Sequence, residues 1–217
     1  MALLAALVVS GVVAARAGGA SPSRCERFAA ASVARAQQVT GSGERVVVVG
    51  DSWSAGLGLD RPVQSWPSRL PGRVHVAGFS GSGFSEAASP CGRVSFADRA
   101  PAALRAGADL LVVEGGLNDY DRTRAEIRAG FERVMALAAP YRTVVVGPAS
   151  APARAARVPR VDRLLRRLCA HHAVPYVSMA DVALTYLPDR LHPTAAGHRV
   201  FGDAVAARIA ALVPPPV

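Results

Sequence analysis

The sequence predicts an α/β fold, specifically a three-layer α/β/α sandwich built on a five-stranded parallel sheet. Short runs of valine and leucine recur along the chain, and each ends in glycine or a polar turn. Between them lie longer segments whose apolar residues recur with helical spacing, and there are no internal repeats. Buried strands that alternate with helices favour a parallel sheet covered on both faces over a bundle or an all-β sandwich. With 217 residues, 51% of them hydrophobic, the chain can form one domain with a sizeable core.

The individual elements follow from these runs and from the turn residues that punctuate them. Strands are predicted at residues 46–49, 74–77, 109–114, 143–147 and 175–178. Helices are predicted at residues 25–40, 95–106, 123–139 and 161–173, with a short helix starting at Trp66-Pro67 and a closing helix from Pro193 onward. The carboxyl ends of such strands are where open α/β sheets place their ligands.

The formal net charge of +9 comes entirely from arginine, because the sequence contains no lysine. The arginines are scattered through an Ala- and Val-rich chain, which is typical of a coding bias. A polyanion site needs basic residues clustered on one face. The sequence therefore predicts no nucleic-acid partner, and only residues 154–167, with six arginines, keep a polyanion site open.

The first twenty residues differ from the rest of the chain. Residues 2–15 form an apolar run that is short for a membrane span, which needs about 20 residues, but suits a signal peptide. We therefore expect a signal peptide at 1–20, a helical extension and linker at 21–43, and the main domain at 44–217. An uncleaved amino-terminal anchor is the alternative. Either way the sequence predicts a secreted or cell-envelope protein with no stable membrane span in the domain, and a monomer.

Three cysteines, Cys25, Cys91 and Cys169, lie beyond the predicted signal peptide. In an oxidising compartment they imply one disulfide and one free thiol, and any two of them could pair. Their spacing fits no zinc-binding pattern. Separately, we expect no cofactor.

Polar residues with catalytic potential follow the strands one after another. Ser52 follows the first strand, Ser80-Gly81 the second and Asn118 the third, while Asp189 and His192 lie in the loop after the fifth. In a parallel sheet these loops open on one edge, so the side chains can converge. A hydroxyl, a backbone amide, a carboxamide and an Asp/His pair are the groups that serine-based acyl transfer needs.

Each of these residues has a predicted role. Ser52 is the candidate nucleophile, His192 the base that accepts its proton, and Asp189 the carboxylate that orients the imidazole. The backbone N–H groups of Ser52 and Gly81 and the side-chain amide of Asn118 are the candidate oxyanion donors. The alternative for Ser52 is a turn serine that satisfies its own backbone.

These motifs resemble those of the SGNH, or GDSL-type, esterase and lipase family. Ser52 lies in GDSW, Gly81 in FSG, Asn118 in GLND and His192 in DRLHP, and the resemblance spans roughly residues 45 to 213. It implies a flavodoxin-like sheet with strand order 2-1-3-4-5, no metal, and hydrolysis through an acyl-enzyme on Ser52. Trp53 departs from the pattern, because the family usually has leucine there.

The substrate implied is a small-molecule or glycan ester, with an acyl or acetyl group on a lipid or sugar. Trp53, Phe79 and Leu117 lie beside the motif loops and are predicted to line its pocket. An acyltransferase acting on polysaccharide and a non-catalytic binding module remain alternatives. A phosphate-binding role for the loop at residues 78–83 has little support, since the loop lacks the P-loop lysine. An α/β-hydrolase is excluded because Ser54 replaces the glycine that its G-x-S-x-G turn requires.

Overall fold

The computed structural model describes residues 21–212 and contains a single five-stranded parallel sheet in the order β2-β1-β3-β4-β5. The strands are β1 (Arg45–Gly50), β2 (Arg73–Gly78), β3 (Leu110–Glu114), β4 (Thr143–Val146) and β5 (Tyr176–Val177). The helices are α1 (Arg24–Ala36), α2 (Ser52–Ala55), α3 (Phe96–Ala103), α4 (Arg124–Ala138), α5 (Val158–His171) and α6 (Ala195–Leu212). The predicted fold class and strand order are therefore confirmed.

The valines of β1 supply both hydrophobic cores. Val46 and Val48 face a core that includes Trp66 and residues of α6, while Val47 and Val49 face a second core formed with α3, α4 and α5. All four valines are at most 2% exposed. A strand that is buried on both faces has no polar side to present, which explains its unbroken apolar sequence.

Several element ends differ from the predicted ones for local reasons. Helix α1 begins after Ser23, which forms a capping box with Glu26, and it ends at Ala36 rather than continuing to residue 40. Thr40 instead pairs with Val74 in an antiparallel bridge. Helix α5 begins three residues before the predicted start, because proline is well tolerated in a first helical turn. The segment at Trp66–Arg69 is a 3-10 helix.

The segment before the sheet packs onto the domain. The buried guanidinium of Arg35 in α1 donates through Nε to the Ser65 hydroxyl (3.2 Å) and through Nη1 to the Gln38 carbonyl (2.7 Å). A disulfide joins Cys25 in α1 to Cys91, which leaves Cys169 as a buried free thiol. In the chain-entropy model, cross-linking residues 66 positions apart raises the free energy of unfolding by about 4 kcal/mol.

The predicted signal peptide at 1–20 lies outside the described residues. Between residues 21 and 212, no helix combines the length and the apolar character that crossing a bilayer requires. The division of the chain at residue 43 stays a prediction.

Candidate active site

The nucleophile candidate lies where β1 turns directly into the short helix α2. Asp51 caps this helix, and its carboxylate accepts the Trp53 N–H at 2.8 Å. A Cβ on Gly50 would lie 2.1 Å from the Ser54 hydroxyl oxygen, so only glycine fits before the turn. Ser52 is therefore held at the carboxyl edge of the sheet, where it is 6% exposed.

The structure brings the predicted base and its carboxylate to this serine. His192 Nε2 lies 3.1 Å from Ser52 Oγ, and His192 Nδ1 lies 2.6 Å from Asp189 Oδ2. The other carboxylate oxygen of Asp189 accepts the backbone N–H groups of Leu191 (2.9 Å) and His192 (3.0 Å). One carboxylate thus organises both the loop and the imidazole.

The electrostatics of Asp189 suit this position. Partial burial opposes its ionisation, but the hydrogen bonds from the His192 side chain and from two backbone N–H groups outweigh burial and lower the pKa of Asp189. The carboxylate is therefore ionised at neutral pH and pairs with a charged imidazole whenever His192 holds an extra proton.

The predicted oxyanion donors come from three loops that meet at the same edge. Asn118 lies in a 3-10 turn (Leu117–Asp119) after β3, and its Nδ2 donates to the Ser82 carbonyl (2.8 Å) and to Asp51 Oδ2 (3.2 Å). Gly81 adopts φ +85° in the loop after β2, a conformation that favours glycine. The N–H of Ser52 has no acceptor within α2, because Ser52 is the first helical residue.

The three predicted pocket residues are packed inside the protein instead. Trp53, Leu117 and Phe79 are 1%, 2% and 5% exposed. Trp53 packs edge-on against Phe201 with 5.2 Å between ring centroids, and Phe79 packs edge-on against Phe28 at 6.4 Å. At this exposure the three side chains support the loops from beneath, and their assignment to a pocket wall stays a prediction.

A buried carboxyl group next to the turn that holds Ser52 has no counterpart in the predicted site. Glu114, at the end of β3, is 1% exposed, and its Oε2 accepts the Ser54 hydroxyl at 2.7 Å. Burial and the nearby Asp51 raise the pKa of Glu114 well above its ordinary value. Burial also raises the pKa of Asp51 to about 6. The available signal in the sequence was an ionisable residue that ends an otherwise apolar strand.

Two arginines also lie beside the candidate site, and sequence reasoning missed both. Arg99 from α3 donates through Nη2 to the Gly50 carbonyl (2.8 Å) and the Ser82 hydroxyl (2.9 Å), and through Nη1 to the Ala77 carbonyl. Burial lowers the pKa of Arg99 to about 10, which leaves it charged at neutral pH. It therefore ties the ends of β1 and β2 together. The second is Arg154, which contacts Asn118.

Asp51 and Asp119 organise the loops at this edge of the sheet through hydrogen bonds to backbone N–H groups. The buried carboxylate of Asp119 accepts the backbone N–H groups of Phe84 (3.0 Å) and Ser85 (2.8 Å).

Among residues 21–212, no three His, Cys, Asp or Glu side chains are grouped so that they could hold a metal ion.

A second histidine, His198 in α6, is fully buried next to Trp53. Its Nδ1 accepts the Trp66 N–H at 3.3 Å, and its Nε2 has no partner among the described residues. Burial, with a smaller contribution from His192, lowers the pKa of His198 from 6.5 to about 4. The imidazole therefore stays neutral in the folded protein under mildly acidic conditions.

This lowered pKa predicts that the contribution of His198 to the stability of the fold is lost in acid. Below pH 6.5 the unfolded chain takes up a proton at His198 that the folded chain refuses until about pH 4. The free energy of unfolding should thus fall by about 3 kcal/mol from this group between those pH values. The His198→Asn side chain still offers an acceptor to Trp66. In urea unfolding at pH 7, 5.5 and 4, the free energy of unfolding of this variant should therefore fall by about 3 kcal/mol less than that of wild type. If the free energy of unfolding fell equally with pH in both proteins, the lowered pKa of His198 would be contradicted.

Comparison with known proteins places this arrangement in a family. Among solved structures, the chain is similar to Est24, a carbohydrate acetylesterase from Sinorhizobium meliloti, with 23% identity and a TM-score of 0.64 over 78% of this chain and 100% of that one. It is also similar to the native aryl esterase of M. smegmatis, with 20% identity and a TM-score of 0.64 over 79% and 100% of the two chains. A family two carbohydrate esterase from Clostridium thermocellum, solved with cellohexaose, matches with 16% identity and a TM-score of 0.64 over 80% and 66%.

These similarities establish the fold as that of the SGNH hydrolases. No curated protein is significantly similar to the chain. The model of the GDSL-like lipase/acylhydrolase family matches residues 48–200, a span that contains Ser52, Gly81, Asn118, Asp189 and His192. The chain therefore belongs to the GDSL-like lipase/acylhydrolase family, and with it to the carboxylic ester hydrolases.

Proposed function

We propose that this protein is a serine esterase that cleaves carboxylic esters through an acyl-enzyme on Ser52. The observation that carries the proposal is the continuous chain of contacts from Ser52 Oγ through His192 to Asp189, at 3.1 and 2.6 Å. A serine hydroxyl becomes an effective nucleophile only when a positioned base accepts its proton. A turn serine has no need of such a partner from a loop 140 residues away.

In the proposed mechanism His192 Nε2 takes the proton of Ser52 as Oγ forms a bond to the ester carbonyl carbon. The carbonyl π electrons move onto oxygen, which gives a tetrahedral oxyanion. When this intermediate collapses, the bond to the alcohol oxygen breaks and the alcohol leaves with the proton from His192. Water then attacks the acyl-enzyme in the same way, with His192 as base, and releases the acid and free Ser52. Asp189 stays ionised and keeps the proton of His192 on Nδ1.

The oxyanion would be bound by the N–H groups of Ser52 and Gly81 and by Asn118 Nδ2. In the resting site Nδ2 already donates twice, and the contact to Asp51 at 3.2 Å is the longer one. We expect this N–H to bind the oxyanion in place of Asp51 as negative charge develops on the substrate oxygen. Such preorganised donors typically contribute about 3 kcal/mol each to transition-state stabilisation.

For the substrate we propose acyl or acetyl esters of a lipid or sugar, with acetylated carbohydrate the first class to examine. A structural neighbour described as a carbohydrate acetylesterase supports an acetyl group. We also propose that the protein acts outside the cytoplasm, and the Cys25–Cys91 disulfide supports that placement. The intact triad favours catalysis over the alternative of a binding module.

A fluorophosphonate probe tests the proposal directly. Folded protein should be labelled at Ser52, as peptide mapping would show, whereas heat-unfolded protein and Ser52→Ala should not be labelled. Lack of labelling in folded protein would overturn the proposal. Rates on acetyl, butyryl, octanoyl and palmitoyl esters then define the acyl preference. Product analysis with a glycan acceptor present separates hydrolysis from acyl transfer, because the same residues would serve both.

A further inference from the structure

We infer that Arg154 is a positioning residue that fixes the orientation of the Asn118 side-chain amide, so that its N–H groups and not its oxygen face the reacting ester. This inference deepens the proposed function and rests on it. Arg154 lies in the loop between β4 and α5, an element with no other assigned role in the site.

The decisive contact is one that only the oxygen of the amide can make. Arg154 Nη1 donates to Asn118 Oδ1 at 2.8 Å and to the Leu117 backbone carbonyl at 2.8 Å. A guanidinium offers only donors, so it can pair with the amide oxygen and not with the amide nitrogen. A flipped Asn118 would place its NH₂ group against a cation and lose this hydrogen bond.

The consequence appears at the other end of the same amide. With Oδ1 fixed by Arg154, Nδ2 points toward Asp51 and Ser82, which belong to the loops after β1 and β2. This is the side from which an oxyanion next to Ser52 would be bound. A positive charge at the oxygen also polarises the amide, which makes its N–H groups stronger donors.

Arg154 is itself held on several sides. Its guanidinium lies 4.4 Å from the centre of the Tyr120 ring, which is a cation–π distance. Its backbone carbonyl accepts the N–H groups of Arg157 (2.9 Å) and Val158 (3.2 Å), where α5 begins. The preceding Ala153 N–H donates to the carbonyl of Arg190, in the loop that carries Asp189 and His192, at 2.9 Å. The loop therefore connects the oxyanion donor to the catalytic base.

The test compares Arg154→Met, which keeps the apolar stem but removes the donors, with Arg157→Met as a matched control at an exposed arginine three residues away. For a p-nitrophenyl acetate substrate, we expect Arg154→Met to lower kcat about 10- to 100-fold, part of the effect of losing an oxyanion donor. KM should change by less than about 2-fold, since ground-state binding does not use the oxyanion donors. Arg157→Met should match wild type in both. Unchanged kcat in Arg154→Met would overturn the inference.

A double-mutant cycle with Asn118→Ala separates positioning from general support of the fold. In the Asn118→Ala background, Arg154→Met should lower kcat by less than about 2-fold, because the amide through which Arg154 acts is gone. An equal loss in both backgrounds would show that Arg154 acts independently of Asn118. Arg154→Lys retains a charged donor and should recover part of the lost kcat; recovery no better than with methionine would contradict the role of the donor.

Failure of this inference is distinguishable from failure of the proposed function. If the wild-type protein labels at Ser52 and hydrolyses the ester while Arg154→Met does so equally well, only the role of Arg154 falls. If the wild-type protein neither labels nor turns over, the esterase assignment itself is wrong.

Discussion

Replacing Ser52 with alanine is expected to lower kcat for ester hydrolysis by about a million-fold, and His192→Ala should cost about as much. The reason is the single proton transfer that joins them: Ser52 Oγ and His192 Nε2 are 3.1 Å apart, and neither residue can form the acyl-enzyme alone. For the same reason the double variant should be no slower than either single variant. Residual catalysis would come from the oxyanion donors and substrate binding alone.

The measurement is steady-state hydrolysis of p-nitrophenyl acetate, with thermal melting to show that each variant is folded. Ser42→Ala and His171→Ala are matched controls at exposed positions in the described structure, and both should keep wild-type kcat. If either active-site variant retains more than about 1% of wild-type activity, the assigned roles are wrong, because a triad member contributes far more than 100-fold. Independent, multiplying losses in the double variant would also contradict a shared proton transfer.

The fold was predictable because each strand can be recognised from its own local sequence. Four valines in β1 followed by Gly50 and Ser52 specify a strand buried on both faces and an abrupt turn. Parallel topology then carries the loops after β1, β2 and β3 to one edge, so convergence of Ser52, Gly81 and Asn118 follows from their places after the strands. The spacing of Asp189 and His192 was informative because one short loop holds both.

Features that depend on side-chain direction or on distant contacts were not predictable. Trp53 is adjacent to Ser52 in sequence, yet neighbouring residues of a helix point about 100° apart. The turn that places Ser52 beside His192 therefore sends the indole into the core beside Phe201. Likewise three cysteines allow three pairings, and only the folded chain shows that Cys25 of α1 pairs with Cys91.

The two arginines that support the site could not be recognised from the sequence for a related reason. Arg99 and Arg154 are two of many arginines in a chain with no lysine, so composition did not indicate that either belongs to the site. Their importance comes from where the folded chain places the guanidinium groups: Arg99 against the Gly50 carbonyl and Arg154 against the Asn118 amide. Residues 154–167 form a dense basic stretch in the sequence, and the first arginine of that stretch contacts Asn118 in the site instead of forming a polyanion surface.

The Asp189→Asn variant probes the orientation of the base without removing it. Asparagine keeps the size of Asp189, and its oxygen can still accept the N–H groups of Leu191 and His192 that shape the loop. Its NH₂ group would then face His192 Nδ1, which is 2.6 Å from a carboxylate oxygen in the native site. A donor there forces Nδ1 to act as the acceptor and moves the imidazole proton to Nε2, so His192 can no longer accept the proton of Ser52.

The expected loss in kcat for Asp189→Asn is about 10⁴-fold, or about 5.5 kcal/mol of transition-state stabilisation. Thermal stability should change little, since the loop hydrogen bonds persist. Asp181→Asn is the matched control, because Asp181 is an exposed carboxylate paired with Arg208 and should leave kcat unchanged. A variant Asp189→Asn that keeps more than about 10% of wild-type kcat would mean that His192 holds its tautomer without Asp189, and the carboxylate would then serve the loop alone.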